Sequence, residues 1–271
     1  MSVVTPVYSI AKIFTAAAVL RRFDPGRRIG EVVSTPARLS RLTVGDLLKH
    51  RSGLGDYGRW PEYRDAVAAR EEAWPDEVIL DRVELAEPGV FRYANPGYLL
   101  LRRALEQSAG ADFFTVLDTT VLAPLEIPAR PFADRTDWDH CTVPISERLR
   151  EYDPRWVYTG TFCADVADTA AGLARLLGGA LGHDLPAAMR VTHPVDAPGH
   201  AFAEPGYGSG LMTDGFPPSI VGHGGGGPGF ELFAAARADG SAAVGVCDPT
   251  THGSDDPARR CVAALLQPDA R

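Results

Sequence analysis

The sequence predicts an α+β fold in which helices fill the middle of the chain and an antiparallel sheet closes it. Two changes of texture carry that expectation. From about residue 9 to residue 177 apolar side chains recur mostly at helical spacing, whereas beyond Gly199 the chain breaks into short β-like runs separated by glycine. No repeat or low-complexity linker interrupts the 271 residues. They are expected to form one unit of two lobes, a sheet lobe over about 1–30 and 160–271 and a helical lobe over about 31–159. A chain of this length can bury a substantial core without disulfide or metal staples.

The first element is a helix from about Ser9 to Arg22, with Ile10, Ile13, Phe14, Ala17 and Leu20 on one stripe. Its apolar composition predicts burial, and Asp24-Pro25-Gly26 ends it. Thr43-Val44-Gly45-Asp46 reads as a capping box with a short acid, opening a helix through about His50 that Ser52-Gly53-Leu54-Gly55 closes. Helices are expected from Glu62 to Glu72, Asp76 to Val83, Pro96 to Ser108 and Asp112 to Val121, with Pro96 suited to a first turn. The stretch from Pro128 to Tyr158, rich in Pro, Asp and Arg, reads as a long surface connection. A helix from Ala164 to Leu177 follows. Strands are expected at Gly208 to Thr213, Phe230 to Ala236 and Ala242 to Cys247, the last two joined by a tight Ala238-Asp239-Gly240 hairpin. An amphipathic helix from about Asp256 to Leu266 would cover one face of the sheet.

Composition removes several functions. Thirty-five acids against 27 bases give a formal net charge of -8, and no basic run exceeds three residues, so nucleic acid is not an expected partner. The longest apolar run, Ile13 to Leu20, is eight residues, far short of the roughly 18 to 20 that cross a bilayer, so no membrane span is expected. Cys141, Cys163, Cys247 and Cys261 form no C-x-x-C and read as isolated buried thiols. No Lys or Arg precedes Lys12, so the start of the chain does not read as a signal peptide, and a cytoplasmic location is expected.

Only two of the 27 bases are lysines, Lys12 and Lys49. A lysine kept in so arginine-biased a chain raises the question of whether a neutral amine is needed, because arginine does not deprotonate in proteins. Ser9-Ile10-Ala11-Lys12 answers it: a serine and a lysine three apart on a helix share a face, so hydroxyl and amine can touch. Burial and the positive helix end both disfavour the ammonium and suit Lys12 to take the proton of Ser9. Tyr93-Ala94-Asn95 supplies a phenol able to relay protons and an amide able to donate and accept. Gly222-His223-Gly224-Gly225-Gly226-Gly227-Pro228-Gly229, ahead of the strand at Phe230, lets backbone approach a ligand closely and offer N–H groups to an oxyanion.

With these three motifs in this order, the sequence resembles the β-lactamase-related serine hydrolases, specifically the branch of class C β-lactamases, D-alanyl-D-alanine carboxypeptidases and family VIII esterases. The likeness covers most of the chain: Leu42 to Leu54 resembles that branch's helix and S-G-L turn, Phe91 to Leu101 its Y-x-N segment, and Tyr207 to Leu211 with Gly222 to Phe230 its closing strands. It implies a β-lactamase/transpeptidase-like fold and an acyl-enzyme formed on Ser9 from a small ester or amide, with Lys12 and Tyr93 sharing proton transfer. Asn95 would orient the acyl amide, His223, Gly224 and Gly225 would line the substrate, and the backbone N–H groups of Ser9 and Gly226 would form the oxyanion hole. Neither a cofactor nor a metal is implied; an amine or alcohol could replace water as acyl acceptor. Only eight residues precede Ser9. The sheet is therefore expected to be reduced on its N-terminal side, leaving an edge that a homodimer or a rearranged N-terminus would cover. The expected role shifts from cell-wall enzyme to an intracellular esterase, amidase or acyltransferase of small metabolites, as in secondary-metabolite biosynthesis.

Rival readings are weaker. Gly222, Gly224 and Gly227 satisfy G-x-G-x-x-G, but the segment leads into a strand rather than a helix. His193, Asp196 and His200 lack a zincin's helical register, and no G-x-S-x-G elbow marks an α/β-hydrolase. A non-catalytic relative binding a ligand or a partner protein, and a β-lactamase or D-alanyl-D-alanine peptidase, stay open as alternatives.

Overall fold

The computed structural model describes residues 2–249 and 256–267. Strand β1 (Val4–Pro6) pairs antiparallel with β3 (Phe162–Asp165), which also pairs with β2 (Ala129–Pro131), giving a small sheet of order β1-β3-β2. A 3-10 turn at Tyr8–Ile10 leads into α1 (Ala11–Arg22), buried from Ala11 through Val19. The stripe read from the sequence is thus a helix enclosed on nearly every side, with α5 (Asn95–Ala109) as a main neighbour.

Between them lie α2 (Val44–Leu48), α3 (Pro61–Ala68) and α4 (Asp76–Arg82). The Thr43 cap holds as expected: its hydroxyl oxygen accepts from the Asp46 backbone N–H at 3.1 Å and its O–H donates to the Asp46 carboxylate at 2.6 Å. Helix α5 starts with Pro96 in its first turn and stops at Gly110, whose φ of 66° is the left-handed conformation that ends helices. Short α6 (Phe113–Leu117) runs into a wide helical turn at Asp118–Leu122.

The segment 128–158 is not the surface connection that its polar composition suggested. It contributes β2, a 3-10 turn at Arg135–His140, α7 (Glu147–Arg150) and a second 3-10 turn at Pro154–Trp156. Trp138 and Trp156 anchor it, fully buried, and their indole N–H groups donate to the carbonyls of Tyr152 and Glu71.

After α8 (Val166–Leu177) and α9 (Asp184–Met189), the chain builds a six-stranded antiparallel sheet whose order follows the sequence: β4 (His193–Pro194), β5 (Pro205–Tyr207), β6 (Met212–Asp214), β7 (Ile220–Gly227), β8 (Phe230–Arg237) and β9 (Ala243–Pro249). Alternation along β8 divides the core. Leu232, Ala234 and Ala236 join the main cluster, while Phe233 and Ala235 face the opposite way and pack with α10 (Pro257–Leu266), which covers that face as expected. Strand β9 is the last strand of the sheet, and β1 stays in the small sheet, touching β9 through Thr5 Oγ1 and Cys247 Sγ at 3.7 Å.

Two expectations change in detail. The helix expected from Ser9 begins only at Ala11, which leaves Ser9 on the 3-10 turn. The glycine-rich octet, read as a loop leading into a strand, lies largely within β7.

Candidate active site

Tyr8, Ser9 and Ile10 form the turn that presents the nucleophile candidate. Tyr8 is a bulky residue at φ 47°, a left-handed conformation that persists only where the surroundings enforce it. Here they do: its buried phenol donates to the Pro228 carbonyl at 2.6 Å, and its ring lies against Gly227 so closely that a Cβ there would come within 2.5 Å. A Cβ on Gly225 would meet the Val7 carbonyl oxygen at 2.3 Å, so glycine is required for β7 to lie on the serine turn. Strand β6 pairs with β7 only as far as Gly222. Among the described residues the same edge of β7 from His223 onward has no strand partner, and it borders a cavity of about 370 Å³ with Ser9, Tyr93 and Gly224 to Gly226 in its wall.

One helical turn beyond Ser9, Lys12 Nζ donates to Ser9 Oγ at 2.8 Å, and from α5's entry loop Tyr93 Oη donates to the same oxygen at 3.1 Å. Lys12 is 1% exposed, and burial brings its pKa down to about 7, against the opposing pull of the Asp56 carboxylate. A substantial fraction of the amine is thus neutral at neutral pH and can accept a proton. Burial pushes the Tyr93 phenol up, which keeps it protonated as a donor. The lysine head lies 5.2 Å and 5.5 Å from the ring centroids of Tyr93 and Tyr98.

The buried amine has a consequence for stability. Between pH 7 and about 10.5 the unfolded chain protonates Lys12 and the folded one does not, so this residue makes stability rise with pH across that window. Lys12→Met is expected to raise the melting temperature most at or below pH 7, with the gain shrinking toward pH 10. Thermal melts across pH test this, and an equal gain at pH 10 would contradict it.

Asn95 and His223 are spoken for within the protein. Asn95, the first residue of α5, turns its Nδ2 to Asp56, donating at 3.3 and 3.4 Å to the two carboxylate oxygens, and its backbone N–H donates to Oδ1 at 3.2 Å. A carboxylate only accepts, so Nδ2 faces Asp56 and Oδ1 of Asn95 is left as an acceptor. His223, 1% exposed, donates from Nδ1 to the Gly224 carbonyl at 2.6 Å and accepts at Nε2 from the Tyr207 hydroxyl at 3.0 Å. Burial, reinforced by the Lys12 charge, depresses it to about 3, so the ring is neutral.

Sequence reasoning brought Ser9, Lys12, Tyr93, Asn95, His223 and Gly224 to Gly226 toward one region, and the fold places them together. It missed what surrounds Lys12. His50 packs its buried ring against Tyr93, Tyr98 and Tyr207 at centroid distances of 4.3, 5.1 and 5.0 Å, accepts from the Ala94 N–H at 3.2 Å, and leaves Nε2 without a hydrogen-bond partner among the described residues. Asp56 lies in the Gly55 to Arg59 turn, which the sequence offers as pocket lining but with no role for the acid itself, and that turn does border a cavity. The 128–158 segment borders a separate cavity of about 400 Å³ through Phe132 and Pro154. Among the described residues no group of three or more His, Cys, Asp or Glu side chains is placed to hold a metal.

A meandering antiparallel sheet covered by helices, with a serine and a lysine one turn apart beside a glycine strand, is the β-lactamase/transpeptidase-like class of fold. The chain belongs to the Beta-lactamase family, whose model matches residues 3–266. Among solved structures it is similar to a D-amino acid amidase from Ochrobactrum anthropi SV3 complexed with L-phenylalanine, with a TM-score of 0.76 and 21% identity over 98% of this chain and 83% of that one. A D-stereospecific amidohydrolase from Streptomyces sp. matches with a TM-score of 0.74 and 22% identity over 90% and 81%. An octameric penicillin-binding protein homologue from Pyrococcus abyssi matches with 0.75 and 20% over 98% of this chain but 66% of its own length. The search of curated proteins gave no match. Identities this low establish likeness of fold.

Proposed function

We propose that this protein is a serine acyl-transfer enzyme that hydrolyses or transfers the acyl group of a small amide or ester. The observation that carries the proposal is the convergence on Ser9 Oγ of Lys12 Nζ at 2.8 Å and Tyr93 Oη at 3.1 Å, with the amine poised near pH 7. Neutral Lys12 takes the Ser9 proton as Oγ bonds to the carbonyl carbon, and the carbonyl π pair moves onto oxygen. The backbone N–H groups of Ser9 and Gly226 receive that oxyanion. Collapse expels the amine or alcohol, protonated through Tyr93 and Lys12, and leaves the acyl group on Ser9. Water, or a bound amine or alcohol, then attacks by the reverse proton path. His223, with both nitrogens engaged, holds β7 in place and offers its ring to the cavity wall.

Amides are favoured over β-lactams and peptides ending in D-alanine by the lining of the nucleophile's cavity. Glu231 and Asp256 are in its wall and, among the described residues, no lysine or arginine is, so a substrate carboxylate would find no Lys or Arg counter-ion among them. The fold likeness to a D-amino acid amidase and a D-stereospecific amidohydrolase agrees with an amide substrate. Incubation with a fluorophosphonate, followed by intact-mass measurement and peptide mapping, should place a single adduct on Ser9 that is absent from Ser9→Ala. A folded protein that takes no adduct would support a ligand-binding protein instead.

A further inference from the structure

His50 follows the last turn of α2 at φ 53°, the left-handed position that glycine most often fills at a helix end. Its ring is 1% exposed, and Nδ1 accepts from the Ala94 N–H at 3.2 Å. Burial and the nearby Lys12 charge hold the imidazole neutral, so its one proton is on Nε2, which has no hydrogen-bond partner among the described residues. A left-handed backbone and an unused buried donor both work against stability, and the compensation is what the residue grips. It holds three consecutive residues of the loop that carries Tyr93. The Arg92 N–H donates to the His50 carbonyl at 2.8 Å, the Ala94 N–H donates to the ring, and between them the Tyr93 phenol lies against the imidazole with centroids 4.3 Å apart. No helix or strand includes residues 91–94, so this grip stands in for regular structure in fixing them. The imidazole is itself packed against Tyr98 and Tyr207, at 5.1 and 5.0 Å, whose hydroxyls bond to the Leu48 carbonyl and to His223 Nε2.

We propose that His50 is a positioning residue for the leaving-group proton: its carbonyl, its Nδ1 and the face of its ring hold Tyr93 so that the phenol stays on Ser9 Oγ. This role rests on the acyl-enzyme reading of Ser9. Lys12 lies three residues from Ser9 in the same segment and keeps its contact with Oγ by local geometry, whereas Tyr93 reaches that oxygen from 84 residues away. Loss of His50 should therefore spare the attack by Ser9 and impair the departure of groups that leave only when protonated.

The test labels Ser9 with two alkylphosphonate esters that differ only in leaving group, p-nitrophenol or phenol, and reads the rates by intact mass in the wild type, His50→Gly, His50→Asn, Tyr93→Phe and the double variant His50→Gly with Tyr93→Phe. In each reaction Ser9 Oγ bonds to phosphorus as its proton passes to Lys12, and the aryl oxygen leaves with the electron pair of its P–O bond. Nitrophenoxide departs as the anion, while phenoxide takes the proton of Tyr93, which Lys12 restores. Glycine and asparagine both suit the left-handed backbone; glycine removes ring and acceptor together, and asparagine returns an acceptor to Ala94 without the ring. His50→Gly should slow the phenyl probe about 10- to 100-fold, part of what a positioned general acid supplies, and leave the nitrophenyl probe nearly unchanged, with His50→Asn in between. Tyr93→Phe should open the same gap between the probes, and His50→Gly should not widen it in that background. A merely structural role would slow both probes alike, and a gap that widens additively would mean that His50 acts independently of Tyr93. Either result would overturn the proposal, as would a wild-type protein that takes the nitrophenyl probe and never the phenyl one. If neither His50 variant folds, NMR of the wild-type ring nitrogens decides: the proton is expected on Nε2, and a proton on Nδ1 would leave Ala94 no acceptor and overturn the role. Failure of Ser9 to take the nitrophenyl probe or a fluorophosphonate would instead remove the acyl-enzyme reading beneath it.

Discussion

Lys12→Arg should lower kcat/KM for any amide or ester substrate by about 10²- to 10⁴-fold, the range over which a positioned general base acts. The substitution keeps the charge and nearly the length, but a guanidinium does not release its proton in a protein and cannot accept the one leaving Ser9. The wild-type profile should rise through an apparent pKa near 7, because the free enzyme is competent only with Lys12 neutral. That limb belongs to Lys12 by elimination of its neighbours: His223 is depressed to about 3, and burial holds His50 well below the ordinary histidine value. The arginine variant should therefore lose the limb as well as the rate. A profile that keeps its midpoint near 7 in Lys12→Arg would show that another group supplies the base.

Gly225→Ala is expected to damage both the fold and the serine turn, and Gly226→Ala to be mild for folding. A methyl at 225 would sit 2.3 Å from the Val7 carbonyl oxygen and 3.2 Å from Ile10 Cγ1, and neither the backbone carbonyl nor the buried isoleucine can move without shifting Ser9. Overpacking of this kind costs about 1 to 3 kcal/mol, and displacement of an oxyanion donor adds about 10²-fold in rate. At 226 a methyl meets nothing within 4 Å, so the fold should tolerate it. Melting temperature and fluorophosphonate labelling rate, measured on both variants, separate the two; a Gly225→Ala protein that labels at the wild-type rate would mean that β7 does not buttress the serine turn.

What the sequence made legible was local or periodic. Ser9 and Lys12 lie one turn apart, Asp239-Gly240 turns a hairpin, and α5 announces itself by Pro96; each is decided within a few residues. What it concealed depends on distant partners. β1, β2 and β3 are three or four residues long, too short for alternation to emerge, and they exist because three separate segments align. β7 contains five glycines among its eight residues, a composition with poor strand propensity. It is a strand because β8 pairs along its whole length and because Val7 and Tyr8 leave no room for side chains. Asp56 and His50 acquire meaning only when Asn95 and Tyr93, about 40 residues onward in the chain, fold back against them. Polar composition misled over 128–158 because two tryptophans, not an average, decide where that segment goes.

The phenol of Tyr8 ties the turn bearing Ser9 to the Pro228 end of β7, two segments more than 200 residues apart in sequence. The serine turn and β7 are therefore expected to belong to one cooperative folding unit, so that loosening either requires opening the main core. Amide hydrogens at the serine turn and along β7 should exchange with solvent through the same rare global openings rather than by local fraying. A ligand that reaches Ser9 then meets backbone already in place, so little of its binding free energy is lost to ordering the protein, and discrimination among ligands falls to the rims of the cavity, where side chains still have freedom to adapt.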